Sequence, residues 1–177
     1  MARARTSDTA AVRLIELEVT LAAPLARVWK ALVEQTGTWW PRDFYTAADA
    51  RDFVIEPWLG GRMYEDWGKG EGVIWASVTA VRAPRMLELA GVSSPAWGGP
   101  NTHYHSFRLE EKDGATVLSF SDAVHGRIDD ATARSLHEGW TVLFDEALRA
   151  HCEKRPAPTK APTKAPTKAK AKSKRKR

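Results

Sequence analysis

"ATARSLHEGWTVLFDEALRAHCE", residues 131–153, is the stretch on which the fold turns. Ala133, Leu136, Trp140, Leu143, Phe144, Ala147 and His151 recur at intervals of three and four, so they fall on one side of a helix. Asp129 or Asp130 supplies the N-cap, because a short carboxylate accepts a hydrogen bond from the free amides of a first helical turn. The spacing predicts a helix of about 20 residues, roughly 30 Å long. Gly139 lies inside it, at a cost of about 1 kcal/mol relative to Ala. A glycine there predicts close packing, or open space, beside Trp140.

An apolar stripe of that length needs a surface to cover, and the preceding residues read as a sheet. "THYHSFRLEE" and "ATVLSFSDAV" are two strands joined by a turn at Lys112, Asp113 and Gly114. "GEGVIWASVTAVRAP" is rich in Val, Ile, Trp and Thr, which suit a strand, and "RMLELAGV" is another. "SSPAWGGPN" is a loop by its Ser, Pro and Gly content. "RDFVIEPW" is a short strand closed by Pro57, and "GGRMYEDW" runs extended after two turn glycines. Nearer the start, Arg13, Ile15, Leu17, Val19 and Leu21 form the mostly apolar face of a strand that begins at Val12. In "APLARVWKALVE", Pro24 suits a first helical turn, Leu25, Val28, Trp29 and Leu32 make one stripe, and Gly37 ends the helix.

The order is therefore strand, helix, helical turn, six strands, long helix. Strands and helices do not alternate in the second half, so the sheet is expected to be mostly antiparallel. The fold class is α+β: a strongly curved antiparallel sheet of about seven strands around a long C-terminal helix, with an internal cavity between them.

Bulk composition bounds the functions. The chain has 177 residues, 43% of them apolar, and eight tryptophans. The lone Cys152 has no partner for an internal disulfide, so the fold does not depend on an oxidising compartment. No apolar run reaches the length of a membrane span, and "MARARTSDTAAVRL" lacks the apolar stretch of a secretory signal, so a cytoplasmic protein is expected. There is no P-loop, dinucleotide fingerprint, nucleophile elbow or cysteine pair, which argues against phosphoryl transfer, nicotinamide redox and serine hydrolysis.

Charge divides the chain in two. Of its 27 Lys and Arg, 11 lie from Lys154 onward, where no acid occurs; the other 16 face 22 acids. Three domains of character are expected: a flexible N-terminus at 1–11, a folded domain at 12–153 and a disordered basic tail at 154–177. The tail carries "APTK" three times over 157–168 and no aromatic or branched aliphatic residue, so nothing offsets its ordering entropy. It reads as a solubilising segment or as a non-specific, salt-sensitive binder of nucleic acid or another polyanion.

"VTLAAPLARVWKALVEQTGTWW", "PWLGGRMYEDW", "GVIWASVTAVRAPRMLEL" and "EGWTVLFDEAL" occur in an order that resembles the SRPBCC superfamily, whose fold is the START or birch-pollen-allergen helix-grip. Within it, the chain is most similar to the family named after the activator of the heat-shock chaperone ATPase, over about residues 12–151. The resemblance implies a cavity that holds a hydrophobic or aromatic small molecule. It implies no cofactor and no habitual metal. A chaperone partner is a further expectation, although the activators use a second domain for it.

In this family the segment after the first long helix lies across the cavity mouth. Of the adjacent Trp39 and Trp40, Trp40 is expected to face the cavity and Trp39 to pack outward or on the rim, with Phe44 closing the entrance. The competing reading is that both indoles cap the core. The expected lining is Trp40, Phe44, Met63, Trp67, Trp75, His103, His105, Trp140 and Phe144.

His103 and His105 alternate with Tyr104 and share a face with Phe107 and Leu109, so both are expected to look inward. Three readings stay open. They are polar groups that orient a ligand, or acid–base groups of a cyclase, hydratase or lyase, or an H-x-H metal pair with Asp122 or Glu65 as third ligand. The first is preferred, and no metal is assigned. Glu65 shares a face with Met63 and Trp67; either it is buried there and needs a partner such as a histidine, or the opposite face of the strand is the buried one.

Overall fold

Alternation is plainest in the last strand. From Ala115 to Gly126 the side chains of Thr116, Leu118, Phe120, Asp122 and Val124 are buried in turn. Apolar faces of this kind build a seven-stranded antiparallel sheet: β1 (Ala11–Leu21), β2 (Asp52–Ile55), β3 (Arg62–Gly68), β4 (Glu71–Arg82), β5 (Met86–Ser93), β6 (Asn101–Lys112) and β7 (Ala115–Gly126). The strand order is β1-β7-β6-β5-β4-β3-β2, so β2 to β7 form a meander and β1 closes the far edge beside β7. The computed structural model describes residues 10–153. Ala11 already belongs to β1; the expectations for 1–9 and for the tail at 154–177 lie outside the described residues.

The sheet curves where its ladders are irregular. Register shifts fall at Met63/Tyr64, Asp66/Gly68 and Val78/Ala80, and an extra residue on one strand bends it and increases its twist. At Gly91 in β5 the strands come so close that a Cβ would run into the Trp75 carbonyl.

Helices fill the concave side. α1 (Leu25–Glu34) buries Leu25, Val28, Trp29, Ala31, Leu32 and Val33. Gly37 does not terminate it. It lies within a second short helix, α2 (Thr36–Trp39), where a Cβ would collide with the Asp52 carboxylate. A 3-10 turn (Arg42–Phe44) follows.

The C-terminal helix starts with α3 (Asp130–Thr141), capped by Asp129, whose side chain accepts from the Thr132 amide at 2.8 Å. It passes through a π-helical stretch (Val142–Leu148) into α4 (Arg149–Glu153). In a π turn each residue advances less far around the axis than in an α turn. The stripe read at α spacing is therefore rotated near its end. Leu148 (0% exposed) and Cys152 (1%), both off that stripe, join Leu143 and Phe144 in the core. Burying each such apolar side chain contributes about 1.5–3 kcal/mol. The result is a helix-grip, with the sheet wrapped around the final helix. Among the described residues no helix is long and apolar enough to cross a membrane.

Candidate functional site

The helix does not fill the grip. A cavity of about 340 Å³ remains between sheet, α3 and the segment after α2. Trp40, Phe44, Met63, Trp75, His103, His105 and Trp140 line it, as does Glu65. Trp67 and Phe144 do not. Phe144 is 1% exposed and lies behind Trp140, stacked on it at 5.5 Å, inside the core. Trp67 stands beside the cavity, its ring 6.4 Å from that of Trp97.

The double tryptophan resolves in an unexpected way. Both indoles are buried, Trp39 at 7% and Trp40 at 9% exposure. Trp39 is not on the rim. Its Nε1 donates to the Ala31 carbonyl at 2.8 Å and its ring packs near Phe144 in the core. Trp40 lies on the cavity wall, stacked on Phe53 at 4.0 Å. Neighbours in one regular element diverge, but the backbone turns from helical at Trp39 to extended at Trp40, so both face inward. Gly139 leaves room opposite them; a Cβ there would meet the Phe44 ring at 3.4 Å.

The cavity has two polar ends. At one, Glu65 is 1% exposed and its partner is no histidine. Its carboxylate accepts from the Thr46 amide (3.0 Å) and hydroxyl (2.8 Å), from Trp67 Nε1 (3.1 Å) and from Trp75 Nε1 (3.3 Å). These donors make the buried charge tolerable, since hydrogen bonds to an ionised group are the strong ones. They also tie the 41–46 segment, and Phe44 with it, to β3.

At the other end, the β6–β7 register sets His105 directly against Asp122 and His103 against Val124. Glu65, on β3, is separated from β6 by β4 and β5, so the third side chain beside the histidine pair is Asp122. Asp122 is wholly buried. His103 Nδ1 donates to its Oδ1 at 3.1 Å, Trp140 Nε1 donates to its Oδ2 at 3.1 Å, and His105 Nε2 lies 3.4 Å from Oδ1. Burial alone would raise the Asp122 pKa. The hydrogen bond from His103, the contact with His105 and the charge of either ring when protonated outweigh it and hold the carboxyl well below the usual range. Ser93 Oγ sits 3.2 Å from His103 Nε2, so both ring nitrogens of His103 are engaged.

Several lining residues were not foreseen. Phe53 follows from alternation with Ile55 in β2, a signal present in the sequence. Ser93 ends β5 inside a stretch that reads as loop from its sequence, and Trp97 lies in the β5–β6 connection, which has no periodicity to read. Trp97 lies edge-on to Trp75 at 6.0 Å and is 38% exposed.

Residues 22–153 match the family model described as activator of Hsp90 ATPase homolog 1-like protein. No curated protein matches the chain. Solved structures of similar fold include an uncharacterized protein from Rhizobium leguminosarum, 19% identical, covering 83% of this chain and 98% of that one with a TM-score of 0.65. The Aha1 dimer from Colwellia psychrerythraea is 19% identical, covering 80% of this chain and 97% of that one with a TM-score of 0.55. DynU16, from the dynemicin biosynthetic locus, is 19% identical, covering 80% of this chain and 47% of that one with a TM-score of 0.58. At these identities the likeness is one of fold.

Proposed function

The chain belongs to the activator of Hsp90 ATPase homolog 1-like family, and from that premise we propose that it binds a hydrophobic, aromatic small molecule in the cavity between sheet and C-terminal helix. One observation carries the reading. Among the described residues, the buried side-chain polar atoms without a hydrogen bond are Trp40 Nε1, Asn101 Oδ1 and the ring nitrogens of His105, whose Nε2 has only the 3.4 Å contact with Asp122, and all three residues line this one cavity. Buried polar groups are normally paired, so orphans gathered around one cavity mark a place where a guest completes them. The volume, about 340 Å³, falls within the range of small-molecule sites. Four tryptophans and two phenylalanines are among the lining residues, and their faces favour a flat ring offset from or edge-on to them. The occurrence of the same fold in a biosynthetic locus is in keeping with a small-molecule guest.

The test is native mass spectrometry of the full chain as purified, followed by tryptophan-quenching titrations with flat aromatics such as 1-naphthol. A retained organic mass, or saturable quenching with one equivalent bound, is the expected result. The absence of a retained mass together with the absence of saturable quenching by every aromatic probe would overturn the proposal.

A further inference from the structure

His103, His105 and Asp122 bring two imidazoles and one carboxylate to a single spot on the cavity wall. We infer that this trio is a binding site for a divalent transition cation of the zinc or ferrous-iron class, with an open coordination position toward the cavity. The inference does not rest on the proposed function: a cation can sit there whether or not an organic guest fills the space.

The geometry comes first. One ligand atom from each residue can be chosen so that all three lie within 4.8 Å of one another. Two of the separations, 3.1 Å from His103 Nδ1 and 3.4 Å from His105 Nε2 to Asp122 Oδ1, are close to the edge of a tetrahedron with bonds of about 2.1 Å, which is roughly 3.4 Å. The third edge, between the two imidazoles, has to come from within the 4.8 Å span to that length when a cation binds. The strands hold the atoms there: His105 and Asp122 are directly paired across β6 and β7, and His103 is two residues along on the same face.

A hydrogen-bonded triad does not account for the same arrangement. His103 satisfies Asp122 Oδ1 and Trp140 satisfies Oδ2, which leaves His105, 6% exposed, with only a 3.4 Å contact from Nε2 to the already engaged Oδ1 and no partner at Nδ1. A buried imidazole in that state costs free energy unless something else binds it. A cation beside Nε2 does.

The surroundings complete the site. A ligating histidine usually has its other nitrogen held by a second group, and Ser93 Oγ stands 3.2 Å from His103 Nε2. When Nδ1 gives up its proton to bind metal, Nε2 carries one instead, and a hydroxyl serves either tautomer because it both donates and accepts. Trp140 fixes the far oxygen of Asp122, which leaves Oδ1 for the metal. Two nitrogens and one carboxylate oxygen suit Zn(II), Fe(II) or Co(II). They suit neither Mg(II) and Ca(II), which prefer all-oxygen sites, nor Cu(I), which prefers thiolates. Three protein ligands leave room for a water or for a donor atom of a guest, and both histidines line the cavity.

The experiment is a Co(II) titration of the metal-stripped full chain, followed by visible absorption and competed with Zn(II). The expected result is one equivalent of Co(II), d–d bands of low-coordinate geometry, and displacement of those bands by one equivalent of Zn(II). His103→Ala and His105→Ala should each weaken binding by at least about 100-fold. Asp122→Asn, which keeps the shape of the buried side chain, should weaken it by about 10- to 100-fold, with far-ultraviolet circular dichroism confirming the fold. His125→Ala, at an exposed position outside the cluster, should leave the spectrum unchanged. No bands with the wild-type chain, or bands that survive His105→Ala in a folded protein, would overturn the inference. Aromatic binding that fails while the Co(II) spectrum stands removes only the proposed function, and the converse removes only the metal.

Discussion

Replacing Gly139 by leucine separates a binding cavity from a packed interior. Gly139 is on α3 and lines the cavity, and the first atom its Cβ would meet is Phe44 Cε1 at 3.4 Å, an ordinary contact with a ring near the mouth. Removing a glycine from a helix interior stabilises by up to about 1 kcal/mol, for Ala and nearly as much for Leu. In a domain of this size that raises Tm by about 2–4 °C. The leucine also sends four carbons toward the space a guest occupies. Displacing three to four methylene equivalents of ligand, at about 0.8 kcal/mol each, costs roughly 2.4–3.2 kcal/mol of binding. That is roughly a 60- to 200-fold rise in Kd. Gly139→Ala should gain the stability and lose only about fourfold in affinity. Thermal melts and quenching titrations with the same aromatic probe read both effects. A leucine variant that binds the probe with unchanged Kd would show that the guest sits elsewhere. One whose Tm falls instead would show that the space beside Trp140 is already filled, since overpacking a full core costs about 1–3 kcal/mol.

Four further expectations follow from the same geometry. Trp39→Phe should destabilise by about 1 kcal/mol more than Trp40→Phe in urea melts, because only Trp39 donates a hydrogen bond through its Nε1; equal losses would contradict the pairing. Glu65→Gln turns an amide toward the four donors now facing the carboxylate, so it should cost about 2 kcal/mol and free the 41–46 segment, seen as a lower Tm and faster amide exchange there. Burial pushes the Cys152 thiol up to about 11, so it should resist alkylation near neutral pH; because the unfolded thiol ionises first, stability should fall as pH rises from about 9 toward 11. Truncation after Glu153 should abolish salt-sensitive retention on heparin, which would be attributed to the 11 basic residues of the tail, and leave aromatic binding unchanged.

The elements were legible because their signals are local. A period of two along β6 and a period near 3.6 along α3 each report which face is buried, and they placed His103, His105 and Trp140 on the inward side. Gly139 signalled either close packing or open space beside Trp140, and it lines the cavity there. The signal failed where the backbone leaves a regular period. The helix-to-extended junction between Trp39 and Trp40 buried both indoles, and the π-helical turns brought Leu148 and Cys152 under the sheet.

The sequence by itself determined an antiparallel helix-grip, the strands and helices that build it, and which side chains of β1 and β6 point in. The tertiary structure alone decided their partners. It set Asp122 against His105, gave Glu65 two indoles and Thr46 in place of a histidine, and put Phe144 behind the cavity wall. Facing is a property of one strand and repeats every two residues. Pairing depends on register, bulges and the path of the segment after α2, which are set only when all seven strands close around the helix.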